Sequence, residues 1–154
     1  MRFILPFLGK TKESYLDHGI RDYAERLRRY VPVDIKVLKE PGKNEPDAVL
    51  MAREADLLLS QAAAASLLVA LDPAGREQTS EDMAAALESW ESRGLHTICF
   101  LIGGHLGLDP RVRQQANALW SLSRLTFTHE MSRFILIEQL YRACSIKAGH
   151  KYHR

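Results

Sequence analysis

Apolar positions along this chain follow two alternating rhythms: short apolar runs that read as strands, and longer stretches with apolar residues at helical spacing. Arg2–Leu8 is an apolar run interrupted by Pro6, which predicts a strand near a sheet edge or one that ends early. In residues 11–30, Tyr15, Leu16, Ile20, Tyr23, Ala24 and Leu27 share one helical face, and Pro32 stops the helix. Val33–Leu38 alternates apolar with polar, as a half-buried strand does. Residues 40–46 form a loop by composition, and residues 47–65 a long helix rich in Ala and Leu. Residues 66–71 read as a short apolar strand that ends in a turn at Asp72-Pro73-Ala74-Gly75. Thr79 with Asp82 opens a helix that runs to Arg93 and stops at Gly94.

The apolar run 96–102 breaks at Gly103-Gly104 and turns again at Gly107. Asp109 serves as N-cap with Pro110 in the first helical position. A second apolar-rich run ends at residues 122–127. From His129 to about Ala148 a last helix is apolar on nearly every side, which in so small a protein calls for a subunit partner as well as a sheet. Five strands alternating with five helices, with no internal repeat, predict an α/β fold: a single domain over 1–154 with a largely parallel sheet.

Composition narrows this picture. A chain of 154 residues suits one domain, since domains cluster near roughly 100–150 residues, and 46% apolar content is enough for a full core. No apolar run approaches the roughly 20 residues that span a bilayer, so no membrane partner is expected. The first residues lack a small-residue cleavage site and read as a strand. Cys99 and Cys144 sit within apolar patterns, as buried reduced thiols of a cytoplasmic protein do. The scattered Cys, His and carboxylate positions give no expectation of a metal. The net charge of +2 is unevenly placed: residues 1–104 carry 13 Lys and Arg against 16 Asp and Glu, residues 105–154 carry 8 against 3, and four of the six histidines lie in that last third. A basic, His-rich end points to contact with a polyanion; a solvated tail is the alternative.

The chemistry concentrates between His96 and Arg133. Glycines after a strand let backbone groups approach a ligand closely, and in open parallel sheets the ligand crevice lies outside the carboxyl ends of the strands. Gly103-Gly104-His105-Leu106-Gly107 has neither the spacing of a dinucleotide fingerprint nor the Gly-Lys-Ser/Thr of a P-loop, so a structural turn stays open beside a ligand loop. His129 and Arg133, four apart, place a titratable ring and a fixed cation on one helix face beside the same crevice, although a His at a helix start also serves structural hydrogen bonding. No Ser lies on a G-x-S-x-G elbow. The terminal Tyr152-His153-Arg154 offers a ring for stacking and cations for phosphate; a frayed end is the alternative.

FLIGGHLGL, ALWSLSRLTFTHEMSRFILIEQLYRA and the terminal YHR together resemble the small RlmH-like SPOUT methyltransferases, which methylate N3 of a pseudouridine in 23S ribosomal RNA. The resemblance spans the chain and is most specific over roughly the last 60 positions, where LIGG-x-x-G, S-x-S-x-x-T-F-x-H-x-x-x-R and E-Q-x-Y-R-A occur in order. It implies a SPOUT-type α/β domain with a C-terminal trefoil knot, a homodimer, and S-adenosylmethionine as cofactor, held by Leu71, Gly103, Gly104 and residues Leu122, Ser123, Arg124, Leu125, Thr126 and Phe127. It implies 23S ribosomal RNA within the ribosome as partner, with catalytic positions at His129, Arg133, Arg142 and His153, and RNA contacts at Tyr152 and Arg154. Residues 152–154 of one subunit would complete the other's site. His129 would take the N3 proton, or Arg133 and Arg142 would stabilise the N3 anion. The same cofactor with a transfer RNA substrate, and a non-catalytic RNA-binding module, are the alternatives. One departure stands out: the family usually has Pro before this His, and Thr128 stands here, which implies a looser loop and bears on cofactor affinity more than on reaction type.

Overall fold

The computed structural model of the protein describes residues 1–42 and 44–150. Its elements in order are β1 (Arg2–Leu8), α1 (Ser14–Arg28), β2 (Val33–Leu38), α2 (Asp47–Ala62), β3 (Leu67–Glu77), α3 (Ser80–Ser92), β4 (Thr97–Ile102), α4 (Pro110–Gln115), β5 (Ala118–Ser121) and α5 (His129–Lys147). The strands form one sheet in the order β2-β1-β4-β3-β5, every neighbouring pair parallel. The expected alternation of strands and helices therefore stands, with helices on both faces.

Side-chain alternation sorts the core into two layers. Phe3, Leu5 and Phe7 of β1, with Val69, Phe100 and Trp120, join the buried faces of α1, α3 and α5. Ile4 and Leu8, with Leu68, Ala70, Cys99 and Leu101, join Ala55 and Leu58 of α2 and Val112 of α4. Helix α5 packs against both α1 and α3. No residue of it is fully exposed, although seven are fully buried. Its all-round apolar character is thus largely met by two helices and the sheet of its own chain.

One boundary differs from expectation, that of β3. Strand β1 lies next to the edge strand, near an edge as expected: it pairs with β2 along Phe3↔Val33 to Leu8↔Leu38 and with β4 at Arg2↔Thr97 to Ile4↔Cys99. The β4 pairing stops before Pro6, so the proline, which has no N–H to give, lies where β1 has one neighbour. Strand β3 does not end at Leu71. After a register irregularity it pairs again with β5 at Arg76↔Trp120 and Glu77↔Ser121. The Pro and Gly at 73 and 75 mark a bulge rather than a terminus.

Helix starts follow the local chemistry of the sequence. Thr79 and Asp82 form a reciprocal capping box at α3, and the Asp109 side chain accepts from the Arg111 amide at α4. Thr128 caps α5 by accepting from the Met131 amide, with φ −62°. That torsion is the one a proline would impose, so Thr128 holds the same backbone direction and adds a cap.

Candidate functional site

A cleft of about 710 Å³ opens outside the carboxyl ends of three adjacent strands, β4, β3 and β5. Its walls are Leu71 to Pro73 at the irregularity of β3, residues 102–108 at and after the end of β4, the 122–128 loop after β5, and the first turn of α5. That is where a doubly wound parallel sheet leaves room for a ligand, because successive connections diverge there.

The glycine turn is built by steric need. A Cβ on Gly103 would lie 2.5 Å from the Gly107 carbonyl carbon and 2.9 Å from the Leu108 nitrogen. Gly107 has φ +85° and donates its N–H to the Gly104 carbonyl at 3.1 Å, closing the turn. Residues 103–107 thus form one compact wall of the cleft, to which His105 and Leu106 add side chains. Opposite, Asp72 is nearly buried with both oxygens held: Oδ1 accepts from the Ala74 amide at 2.9 Å, and Oδ2 pairs with Arg113 Nε at 2.9 Å. Arg113 also donates to the Leu108 carbonyl at 3.0 Å. One guanidinium therefore ties the β3 bulge to the end of the glycine turn, bracing two walls of the cleft.

His129 lines the cleft at the N-terminus of α5. Burial pushes its pKa below the ordinary value and the Arg133 charge pushes it further, with Glu130 and Glu40 acting in the opposite sense. The ring is therefore neutral at pH 7 and able to accept a proton. Arg133 lies one turn deeper and is 1% exposed. Its guanidinium sits 4.7 Å over the Phe7 ring and donates to the Leu8 carbonyl at 2.5 Å and to Thr11 Oγ1 at 3.1 Å. The Lys12 amide donates to Glu130. Together these contacts pin the loop after β1 to the start of α5.

The expected cofactor positions Leu71, Gly103, Gly104, Leu122, Ser123, Leu125, Thr126 and Phe127 all line this one cleft. Arg124 does not: its side chain is 88% exposed and reaches Glu77 at 2.6 Å. Arg133 lies behind the lining, and its donors go to the protein itself. Arg142 is 13 residues beyond His129 on α5, about 20 Å along the axis, and forms an ion pair with Glu138 at 2.6 Å. The cleft and Arg142 therefore do not meet within one chain. Tyr152, His153 and Arg154 lie outside the described residues. Asp72 and Arg113 were missed as site residues; only Asp72 carried a local signal, its place just after the apolar run 66–71. Cys99 and Cys144 are buried, both with thiols pushed up to about 12 by desolvation, which leaves them inert.

A parallel α/β sheet with its cleft walled by a glycine turn and a long loop before the last helix defines the class. Residues 1–153 match the family described as "Predicted SPOUT methyltransferase", and the chain belongs to that family of methyl-transferring enzymes. It is 43% identical over 155 residues to "Ribosomal RNA large subunit methyltransferase H" of Desulfotalea psychrophila, covering 100% of both chains. It is 41% identical to the protein of the same name from Heliobacterium modesticaldum, covering 96% of this chain and 95% of that one. Among solved structures, the fold resembles a "Probable Methyltransferase from Bordetella pertussis Tohama I", with TM-score 0.57 at 14% identity over 93% of this chain and 95% of that chain. It also resembles a "probable methylase family protein from Haemophilus influenzae Rd KW20", with TM-score 0.58 at 11% identity over 99% of this chain and 70% of that one.

Proposed function

We propose that this enzyme methylates N3 of a pseudouridine in the 23S RNA of the assembled ribosome, in the cytoplasm, with S-adenosylmethionine as donor. The RNA assignment is supported by the full-length identity to relatives named ribosomal RNA large subunit methyltransferases. The observation that carries the donor assignment is the convergence of Leu71, the Gly103–Gly107 turn and the 122–127 loop on one cleft of a size suited to a nucleoside-bearing ligand.

These residues fit the donor. Leu71, Ile102, Leu122 and Phe127 offer apolar surface to a purine, and Gly103 and Gly104 line the same cleft, where their backbone groups can bond it. When bound, S-adenosylmethionine supplies an electrophilic methyl group. The protein's part is alignment, where proximity lowers a barrier by roughly 7–11 kcal/mol. The N3 nitrogen gains the methyl and gives up its proton to His129, a role supported by its neutral ring and its position in the lining of the cleft. Arg133 acts on this step through His129, by bracing the start of α5 that carries the ring and by favouring its neutral form.

The cations Arg142, His153 and Arg154, with Tyr152, enter this scheme from a second copy. We propose a homodimer, with the knot of its family, in which one subunit's Arg142 and residues 152–154 complete the cleft of the other. The position of Arg142 far along α5 supports this. Deleting residues 151–154 is expected to abolish methylation while donor affinity stays near normal; equal loss of both would overturn it.

The test of function is methyl transfer from labelled S-adenosylmethionine to whole ribosomes, free 23S RNA and transfer RNA from cells lacking this protein. Label in ribosomes alone, at a pseudouridine N3, is expected. Label in transfer RNA, or none in any of the three, would overturn the substrate assignment.

A further inference from the structure

Behind the glycine turn lies a carboxylate that the reaction does not use. The buried face of α2 is otherwise apolar, with Leu50, Ala55 and Leu58, yet Glu54 sits in it at 7% exposure. Its Oε2 has no hydrogen-bond partner among the described residues. The neighbouring cation, Arg53, is paired with Glu45. A carboxylate so placed is costly, and a leucine or methionine of similar volume would pack against the same neighbours without that cost.

Its position against Gly104 gives it a purpose. A Cβ on Gly104 would lie 2.6 Å from Glu54 Oε1 and 2.9 Å from Oε2. Gly104 does not have a positive φ, so its torsion does not demand glycine. What stands in the space a side chain would take is the Glu54 carboxylate, the end of a side chain that is itself 7% exposed. The charged groups that act on Glu54 are His105, which follows in the turn and lines the cleft, and Glu40, after β2. Burial opposes the charged carboxylate most and holds its pKa above the ordinary value, with Glu40 acting in the same sense and the His105 ring and the Gly104 amide against it.

We infer that Glu54 is a positioning residue of the cleft: its carboxylate seats Gly104 from behind and so fixes the 103–107 wall against which the methyl donor is held. The consequence for the donor rests on reading the cleft as the donor pocket. The contact itself can be tested without it. No metal is needed for this role, and the carboxylate does not have to touch the ligand.

The experiment uses the full chain with four substitutions: Glu54→Ala, Glu54→Gln, Gly104→Ala and the Glu54→Ala/Gly104→Ala pair. Dissociation constants for S-adenosylmethionine come from calorimetry, and amide hydrogen exchange is followed at residues 103–107, with Leu58 and Phe100 as controls. Glu54→Ala and Gly104→Ala are each expected to weaken donor binding by at least about tenfold and to speed exchange in the turn but not at the controls. Glu54→Gln keeps the shape and one acceptor and should bind within about threefold of the parent. In the pair, the added methyl enters the space the carboxylate has left, so it should bind more tightly than Gly104→Ala alone. Strictly additive losses, normal binding by either single variant, or exchange that rises equally at the controls would overturn the inference. If the parent itself fails to bind the donor, the donor reading falls, and local exchange at 103–107 still decides the Glu54 contact. If Glu54→Ala does not fold, Gly104→Ala decides alone, and normal exchange in its turn would refute the role.

Discussion

Replacing Arg133 separates a brace from a catalytic cation. In Arg133→Met two bonds from a charged donor are lost, to the Leu8 carbonyl and to Thr11 Oγ1, along with the stack on Phe7. Bonds to charged groups contribute roughly 1.5–3 kcal/mol each, and a desolvated cation–π contact about 2. Against this, burial of the guanidinium disfavours its charge, and that desolvation costs several kcal/mol. The gross gain is therefore largely offset. What methionine cannot offset is the Leu8 carbonyl left without its donor, about 1–3 kcal/mol, and the volume of the missing guanidinium. The net loss is expected near 3 kcal/mol. Arg133→Lys, which keeps one donor and the charge, should cost about half as much. Urea unfolding read by tryptophan fluorescence suits the measurement, because Trp90 and Trp120 stack in the core at 5.3 Å between centroids. A second readout is the His129 titration by NMR: the pKa should rise in Arg133→Met, because a repelling charge has gone, and stay low in Arg133→Lys. A stability change under about 0.5 kcal/mol, the range of ordinary surface substitutions, would refute the brace. So would normal stability with an abolished turnover, which would return Arg133 to the chemistry.

Gly103→Ala pushes a methyl into the Gly107 carbonyl and should shift the turn by roughly 1 Å, weakening donor binding by about 100-fold in calorimetry. Unchanged affinity would mean that the turn does not shape the pocket. His129 is depressed in the folded protein, so the unfolded chain binds more protons below about pH 6.5. Unfolding free energy should therefore fall as pH drops from about 6.5 through the folded value, and His129→Gln should flatten that slope; an unchanged slope would sink the assignment. Glu54 is raised, so its contribution runs the other way. It favours folding at low pH and is lost as pH climbs from about 4.5 through the folded value, and Glu54→Gln should remove that loss in acid-to-neutral unfolding series.

The glycine turn and the cap at Asp109 were readable in the sequence because their causes are local. A chain that leaves a strand and must reverse within five residues needs positions without Cβ, and an Asp before Pro answers the orphan amides of the helix start. That β1 lies near an edge was readable from Pro6, but which strand forms the edge was not, because a proline reports a missing N–H and not the number of neighbouring strands. At Asp72-Pro73-Ala74-Gly75 the turn residues were real, but pairing of Arg76 and Glu77 with β5 carried the strand onward. Glu54 reads as one more charge on a helix until Gly104, 50 positions on, is brought against it.

The order and kind of the elements belong to the sequence alone, because the apolar periods of 2 and 3.6 are properties of neighbouring residues along one chain. The family belongs to it as well, through motifs that stand in order over the last third. Which strands are neighbours, and which charges are buried, belongs to the tertiary structure. Arg133 is a solvated cation by composition and a buried brace in the fold, because its partners Leu8 and Thr11 lie 125 and 122 positions away. Burial is a property of what packs against a residue from afar, and for such contacts sequence spacing has no period to read.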